Sequence, residues 1–310
     1  MPEQSQEMAE ILQPQVGALW EKIRNKTQSA LKCGALKSIP TESKFIDQDG
    51  VRFLVRILAN LDRKEKAKKE QDRKTETSGK DFNPFLPYEE DLFVTHLSET
   101  HVCLLNKYNV VEHHLLMITR AFEEQENWLN LRDFEAMWAC LTEIEGLAFY
   151  NGGTLAGASQ RHKHLQLVPF PFNPDGSSLP IAPVIAGLEW QEAIVTVPHW
   201  QFQHAIARFD PPLISSPQSA AEATNTLYQR LLEAVGISVE GDRQTGAYNL
   251  LATREWMLIV PRSRDSFEGI PVNSLGFSGT LLVRNAQQMQ WLEEVGPMNL
   301  LQNVGYGLRS

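Results

Sequence analysis

Two stretches limit the possible fold more than anything else in the chain. "CLLNKYNVVEHHLLMITR" (103–120) and "NLLATREWMLIVPR" (249–262) share a frame: an apolar run, a polar turn, a second apolar run and a closing arginine. Short apolar runs bounded by turn residues read as buried β-strands. The likeness is either two copies of one supersecondary unit or two buried hairpins that converged by chance. "KHLQLVPF" (163–170) reads as a further strand, and "KFIDQDGVRFLVRIL" (44–58) as a hairpin turned at "DQDG".

Helices are expected in three places. Residues 5–32 carry Met8, Ile11, Leu12, Val16, Leu19, Trp20 and Ile23 near helical spacing, with Pro14 kinking or restarting the run. "NLRDFEAMWACLTEIEGLAFY" (130–150) has Asn130 as a cap, and Phe134, Met137, Trp138, Leu141, Ile144 and Leu147 keep one face apolar. "AAEATNTLYQRLLEAVG" (220–236) is entered through "SSPQ". The segment 62–80 has almost no apolar residue and mixed charge, and reads as an exposed loop or a solvated helix. The Pro- and Gly-rich "PFNPDGSSLPIAPVI" (171–185) marks a boundary that divides the chain into halves, 1–172 and 173–310.

At 310 residues the chain is one large domain or two of ordinary size. A net charge of -9 argues against a nucleic-acid partner, which needs clustered Lys and Arg, and acids interrupt even the charged segment. No apolar run approaches a membrane span, and the first residues lack the basic patch and apolar block of a signal peptide. Three well-separated cysteines suit a reducing compartment and offer neither a disulfide framework nor a thiolate zinc site, so the expected location is the cytoplasm.

The chemistry lies in "GASQRHKHLQLVPF" (157–170). On a strand, His162, His164 and Gln166 share one face while Lys163, Leu165 and Leu167 share the other. Three readings stay open: incidental histidines on a strand, a metal site completed by His199 and His204, or a nucleophilic imidazole. The nucleophile uses the whole stretch. A neutral imidazole attacks phosphorus without a separate base if its second nitrogen donates to a fixed acceptor, either a backbone carbonyl or the His162 side chain. Upstream, "NGGTLAGASQ" brings backbone N–H groups close to phosphate oxygens at Gly152, Gly153, Gly157 and Ala158, with Asn151, Ser159 and Gln160 adding side-chain donors. Gln166 cannot donate a proton to a poor leaving group, but it can hydrogen-bond phosphoryl oxygens, which suffices when the leaving group is a polyphosphate.

These residues, with "NPFLPYEEDLFV", "LLNKYNVVEHHLLMITR", "NLLATREWMLIVPRSR" and "IPVNSLGFSGTLLVR", resemble the histidine-triad superfamily. Within it the sequence is similar to the ATP adenylyltransferases, or diadenosine tetraphosphate phosphorylases, relatives of galactose-1-phosphate uridylyltransferase. The resemblance implies an α+β, HIT-like fold: two histidine-triad-like halves with antiparallel sheets flanked by helices. It implies phosphorolysis of diadenosine tetraphosphate to ATP and ADP with inorganic phosphate, reversibly, through an adenylyl-histidine. His164 would be the nucleophile, His162 its neighbour in the catalytic strand, and Gln166 a phosphate ligand. Asn151, Gly157, Ala158, Ser159 and Gln160 would bind the nucleotide, with Asn106 and Lys107 on the base and ribose side. Asn273, Ser274, Leu275, Thr280 and Arg284 would add contacts from the second half, Arg284 where a lysine is usual, and Arg56 would partner a phosphate. A divalent cation such as Mg²⁺ would arrive on the polyphosphate; no feature specifies an oligomeric state. Plain structural roles compete at several positions: a hairpin turn at Asn106 and Lys107, a helix cap at Asn273, a surface cation at Arg284. His113, His114, His199 and His204 receive no role. The alternatives are uridylyl transfer to a sugar phosphate and a nucleotide-binding regulator without turnover.

Overall fold

The computed structural model describes residues 17–58, 83–171, 176, 179–214 and 216–308. Pro14 and the charged segment 62–80 fall outside them. Helix α1 (Ala18–Cys33) ends at Gly34, whose left-handed backbone lets its N–H reach Leu31 O. Strands β1 (Thr41–Gln48) and β2 (Val51–Leu58) follow, joined by Asp49 at φ 50° and Gly50 at φ 76°. A two-residue turn with both φ values positive matches the twist of its strands, which is why "DQDG" makes a tight hairpin.

Next come β3 (Phe93–His96), β4 (His101–Leu105), β5 (Leu115–Thr119), α2 (Leu131–Leu141), β6 (Gly146–Gly152) and β7 (His164–Pro169). Asn130 caps α2 in a reciprocal capping box with Asp133. The helix expected over 130–150 is thus two elements, since Leu147 belongs to β6. Over a few residues the helical and strand periods give the same apolar positions, and "GLAFY" goes to the sheet because it can pair on both sides. A Cβ at Gly146 would lie 2.5 Å from Val168 O, so only glycine lets β6 begin so close to its neighbour.

The second half contains α3 (Ala182–Ala186), β8 (Ile194–Val195), β9 (Ala205–Arg208), α4 (Pro217–Ala234), β10 (Val239–Glu240), β11 (Arg243–Gln244), β12 (Tyr248–Ala252) and β13 (Trp256–Pro261). It closes with β14 (Ser266–Phe267), β15 (Ile270–Pro271), α5 (Ser274–Phe277), β16 (Thr280–Val283), α6 (Ala286–Val295) and α7 (Pro297–Val304). As "SSPQ" suggested, Ser216 caps α4 with Pro217 in its first turn.

Nine strands form one sheet in the order β3-β4-β5-β7-β6-β12-β13-β9-β8. Two units meet at β6 and β12: β4-β5-α2-β6-β7 in the first half and β8-β9-α4-β12-β13 in the second. The topology therefore repeats, but the two hairpins whose sequences look alike are not its equivalent parts, so their likeness is that of two separately buried hairpins. β12–β13 corresponds to β6–β7, not to β4–β5, because each follows the amphipathic helix of its half. Where β7 turns His164 and Gln166 to one face, β13 turns Trp256, Leu258 and Val260, all apolar.

The sheet separates two cores. Helices α1, α2 and α4 pack on one side with Leu165 and Leu167 of β7. On the other, Phe149, Val168, Leu251 and Val260 pack against a three-stranded sheet, β1-β2-β16, and helices α6 and α7. β16, from the second half, runs parallel to β2, so the halves share both sheets. No helix of the described residues is long and apolar enough to cross a membrane.

Candidate active site

His164 opens β7 and is 5% exposed. Its Nδ1–H donates to the carbonyl of His162 at 2.7 Å, which settles the acceptor as backbone rather than side chain. With the proton held on Nδ1, the lone pair sits on Nε2, which has no partner among the described residues. Burial pushes the imidazole pKa down to about 4, so the ring is neutral at physiological pH. Phe85 stands edge-on to it at 5.2 Å and closes one side with an apolar wall.

The main chain around His164 is clamped by a residue to which sequence reading assigned nothing. Gln125 Oε1 accepts the His164 N–H at 2.9 Å, while Gln125 Nε2 donates to Asn151 O at 2.9 Å and His164 O at 3.3 Å. Tyr150 in turn donates its hydroxyl to Gln125 O at 2.5 Å. The segment around Gln125 thus takes the place of regular pairing between β6 and the start of β7. Nothing local in "EEQEN" signals this, because the contacts are made across the sheet.

His162 shares the face of His164, as alternation required, yet both its ring nitrogens are engaged. Nε2–H donates to Thr119 O at 2.8 Å, and Nδ1 accepts from Asn83 Nδ2 at 3.0 Å. Its contribution at His164 is the main-chain carbonyl. Lys163 points the other way, 1% exposed, with Nζ 2.6 Å from Asp133 and 3.2 Å from Glu123. Asp133 is as deeply buried. Burial alone would raise its pKa, but the hydrogen bond from His101 and the charge of Lys163 outweigh it and hold the carboxyl below its ordinary value. Removing one member of such a pair strands the other, so Lys163→Met is expected to cost about 3–5 kcal/mol in urea unfolding. A loss under 1 kcal/mol would show that the pair does not anchor the strand.

Gln166, one pleat further along, is 8% exposed, and its Oε1 lies 2.9 Å from His114 Nε2. His114 Nδ1 lies 3.2 Å from Asn106 Nδ2, which places Asn106 one step behind Gln166. Lys107 in the same turn pairs with Glu89 at 2.5 Å.

The second half reaches the site through polar contacts centred on Asn151. Its Oδ1 accepts from Ser274 N at 2.9 Å, Ser274 Oγ at 2.8 Å and Asn249 Nδ2 at 3.0 Å, leaving Nδ2 without a partner among the described residues. Asn249 also donates to Ala156 O at 2.8 Å and accepts from the fully buried Arg262. Arg262 bonds Ala156 O and Val304 O as well, and burial lowers its pKa to about 9. Asn249 and Arg262 were missed by sequence reading; the register partnership of Asn249 with Asn151 becomes visible only once β6 and β12 are known to pair.

Gly157, at φ 87°, closes the glycine-rich turn, and a Cβ there would lie 2.8 Å from Val272 O and 2.9 Å from Asn273 Cβ. Ala158, Ser159 and Gln160 continue from it, at least partly exposed, to the histidine strand. Asn273 caps α5 by accepting from Leu275 N at 3.0 Å, and Leu275 packs in the core between the sheets. Arg56, Thr280 and Arg284 belong to the three-stranded sheet and its edge. The β2–β16 register turns Arg56 and Thr280 to the same face. Thr280 Oγ1 is buried without a partner among the described residues, Arg56 bonds Thr41 Oγ1 at 3.3 Å, and Arg284 is exposed. His199 and His204 do not join His162 and His164. His204 uses both nitrogens on Phe202 O and Val197 N, and His199 Nε2 bonds Asp49 O.

Two sheet-sharing units with a single His-x-His-x-Gln strand, its central imidazole buried and neutral with Nδ1–H tied to a main-chain carbonyl, define a histidine-triad-like fold and a candidate site on it. Residues 9–187 match the family model of the Ap4A phosphorylase N-terminal domain, and residues 198–307 that of the ATP adenylyltransferase C-terminal domain. The chain belongs to the diadenosine tetraphosphate phosphorylase family. It is 30% identical to diadenosine 5',5'''-P1,P4-tetraphosphate phosphorylase 2 of Saccharomyces cerevisiae, over 89% of this chain and 90% of the relative. Protein APA1 of the same yeast is 25% identical over 88% of each chain. The fold matches crystal structures of yeast Ap4A phosphorylase Apa2 with Ap4A (TM-score 0.75, 24% identity, 94% of this chain and 98% of that one) and with AMP (TM-score 0.74, 26% identity, the same coverage).

Proposed function

We propose that this chain is an ATP adenylyltransferase that phosphorolyses diadenosine tetraphosphate. The observation that carries the mechanism is the Nδ1–H bond of buried His164 to His162 O, which leaves Nε2 as a neutral nucleophile. Nε2 attacks an α-phosphorus, the P–O bond to the rest of the polyphosphate breaks, and ATP departs. No proton is needed by the leaving group, since a polyphosphate oxygen is stable as an anion at neutral pH. An oxygen of inorganic phosphate then attacks the same phosphorus, the P–N bond breaks, and ADP forms with His164 restored. Written backwards, the scheme makes the dinucleotide from ATP and ADP.

In this reading residues 1–172 supply the reacting strand and residues 173–310 hold the glycine-rich turn through Ser274 and Asn249. The partners are nucleotides and phosphate. The divalent cation rides on the substrate's phosphate oxygens, a mode hard cations favour. The three free cysteines support work in the cytoplasm.

The protein is incubated with diadenosine tetraphosphate, with and without phosphate, and with nucleotide sugars plus sugar phosphates. ATP and ADP forming only with phosphate is the expected result. ATP and AMP regardless of phosphate would make it a hydrolase, and turnover confined to the sugars would make it a uridylyltransferase.

A further inference from the structure

The mechanism needs Gln166 to present its amide hydrogens, not its oxygen, to the phosphoryl group. A carboxamide on a terminal sp² torsion has no strong preference between the two orientations, and its oxygen and nitrogen are nearly the same size. Something must choose. Tyr108 N donates to Asn106 Oδ1 at 3.3 Å, which turns Asn106 Nδ2 toward His114 Nδ1, 3.2 Å away. An amide nitrogen can only donate, so His114 Nδ1 must accept and its proton must sit on Nε2. That Nε2–H faces Gln166 Oε1 at 2.9 Å. The reversed amide would set N–H against N–H, and Gln166 Nε2, with no other partner among the described residues, is left to donate outward.

Resting on the adenylyl-transfer reading, we propose that His114 is a positioning residue for Gln166: the Asn106–His114 relay fixes the carboxamide so that it donates to the phosphoryl oxygens in both half-reactions. His114 is 6% exposed and its ring lies tilted against Phe149 with centroids 5.7 Å apart, so solvent does not compete for its nitrogens. The device is the counterpart of the His162 carbonyl at His164: one fixes a lone pair, the other an amide dipole. Residue 114 carries no chemistry of its own.

The test is a cycle of His114→Phe and Gln166→Ala, read by single-turnover adenylylation and steady-state kinetics. Loss of one oriented donor to a developing charge costs about 10²-fold in rate, so His114→Phe is expected to lower kcat by about 10- to 100-fold with KM little changed. In the Gln166→Ala background the same substitution should change nothing further, and His114→Gln, which keeps a donor near the Nε2 position, should recover most of the rate. Multiplying losses in the double variant, or a change confined to KM, would overturn the proposal. Should His114→Phe fail to fold, ¹⁵N-histidine NMR of the unaltered protein decides: the Nε2–H tautomer at neutral pH supports the relay, and an Nδ1–H or protonated ring refutes it. Wild-type turnover remains phosphate-dependent in either case, so failure here is distinct from failure of the adenylyltransferase reading.

Discussion

Replacing His164 by alanine is expected to abolish the adenylyl adduct proposed for this protein and to lower turnover by about 10⁴-fold or more, the scale seen when a covalent nucleophile is deleted. Intact-mass analysis of a quenched reaction reads this directly, as one added adenylyl group on the unaltered chain and none on the variant. His162→Ala gives the contrast. Its ring bonds to Asn83 and Thr119 are lost, which costs about 1–3 kcal/mol of stability, but the carbonyl that orients His164 remains, so the adduct still forms. If His164→Ala kept its adduct, or His162→Ala alone lost it, the roles given to the two histidines would be wrong. An adduct absent from the unaltered protein would favour a nucleotide-binding regulator.

The second large effect is on stability against acid. His114, His164 and His204 all have their pKa lowered from 6.5 to about 4, in each case mainly by burial. The folded state holds these rings neutral while the unfolded chain protonates them near 6.5, so the unfolded state binds more protons between those values. Their contribution is fully present above pH 6.5, falls as pH drops through the window, and levels off below 4. At pH 5 each ring costs about 2 kcal/mol relative to pH 7. Three together remove about 5–6 kcal/mol, comparable to the whole stability of many domains. Urea denaturation at pH 7, 6 and 5 should show this steep loss with a slope approaching three protons. A slope below one proton would mean that the rings are solvated in the folded protein.

Much of this protein was determined by its sequence alone. Alternation of side chains on one short strand dictated that His162, His164 and Gln166 share a face and that Lys163 turns away, because a pleat leaves no other choice. The "DQDG" hairpin and the caps at Asn130 and Ser216 were equally legible, since each depends on the φ preference or side-chain oxygen of residues within a few positions. What only the tertiary structure decided involves partners distant along the chain. The strand beginning at Gly146 read as helix until its pairing with β7 and β12 was known, and the repeat was framed on the wrong hairpin for the same reason. Gln125, His114, Asn249 and Arg262 are ordinary residues in their own segments. They acquire roles because the sheet brings residues dozens of positions apart within hydrogen-bonding distance in a core where an unmatched polar group is costly.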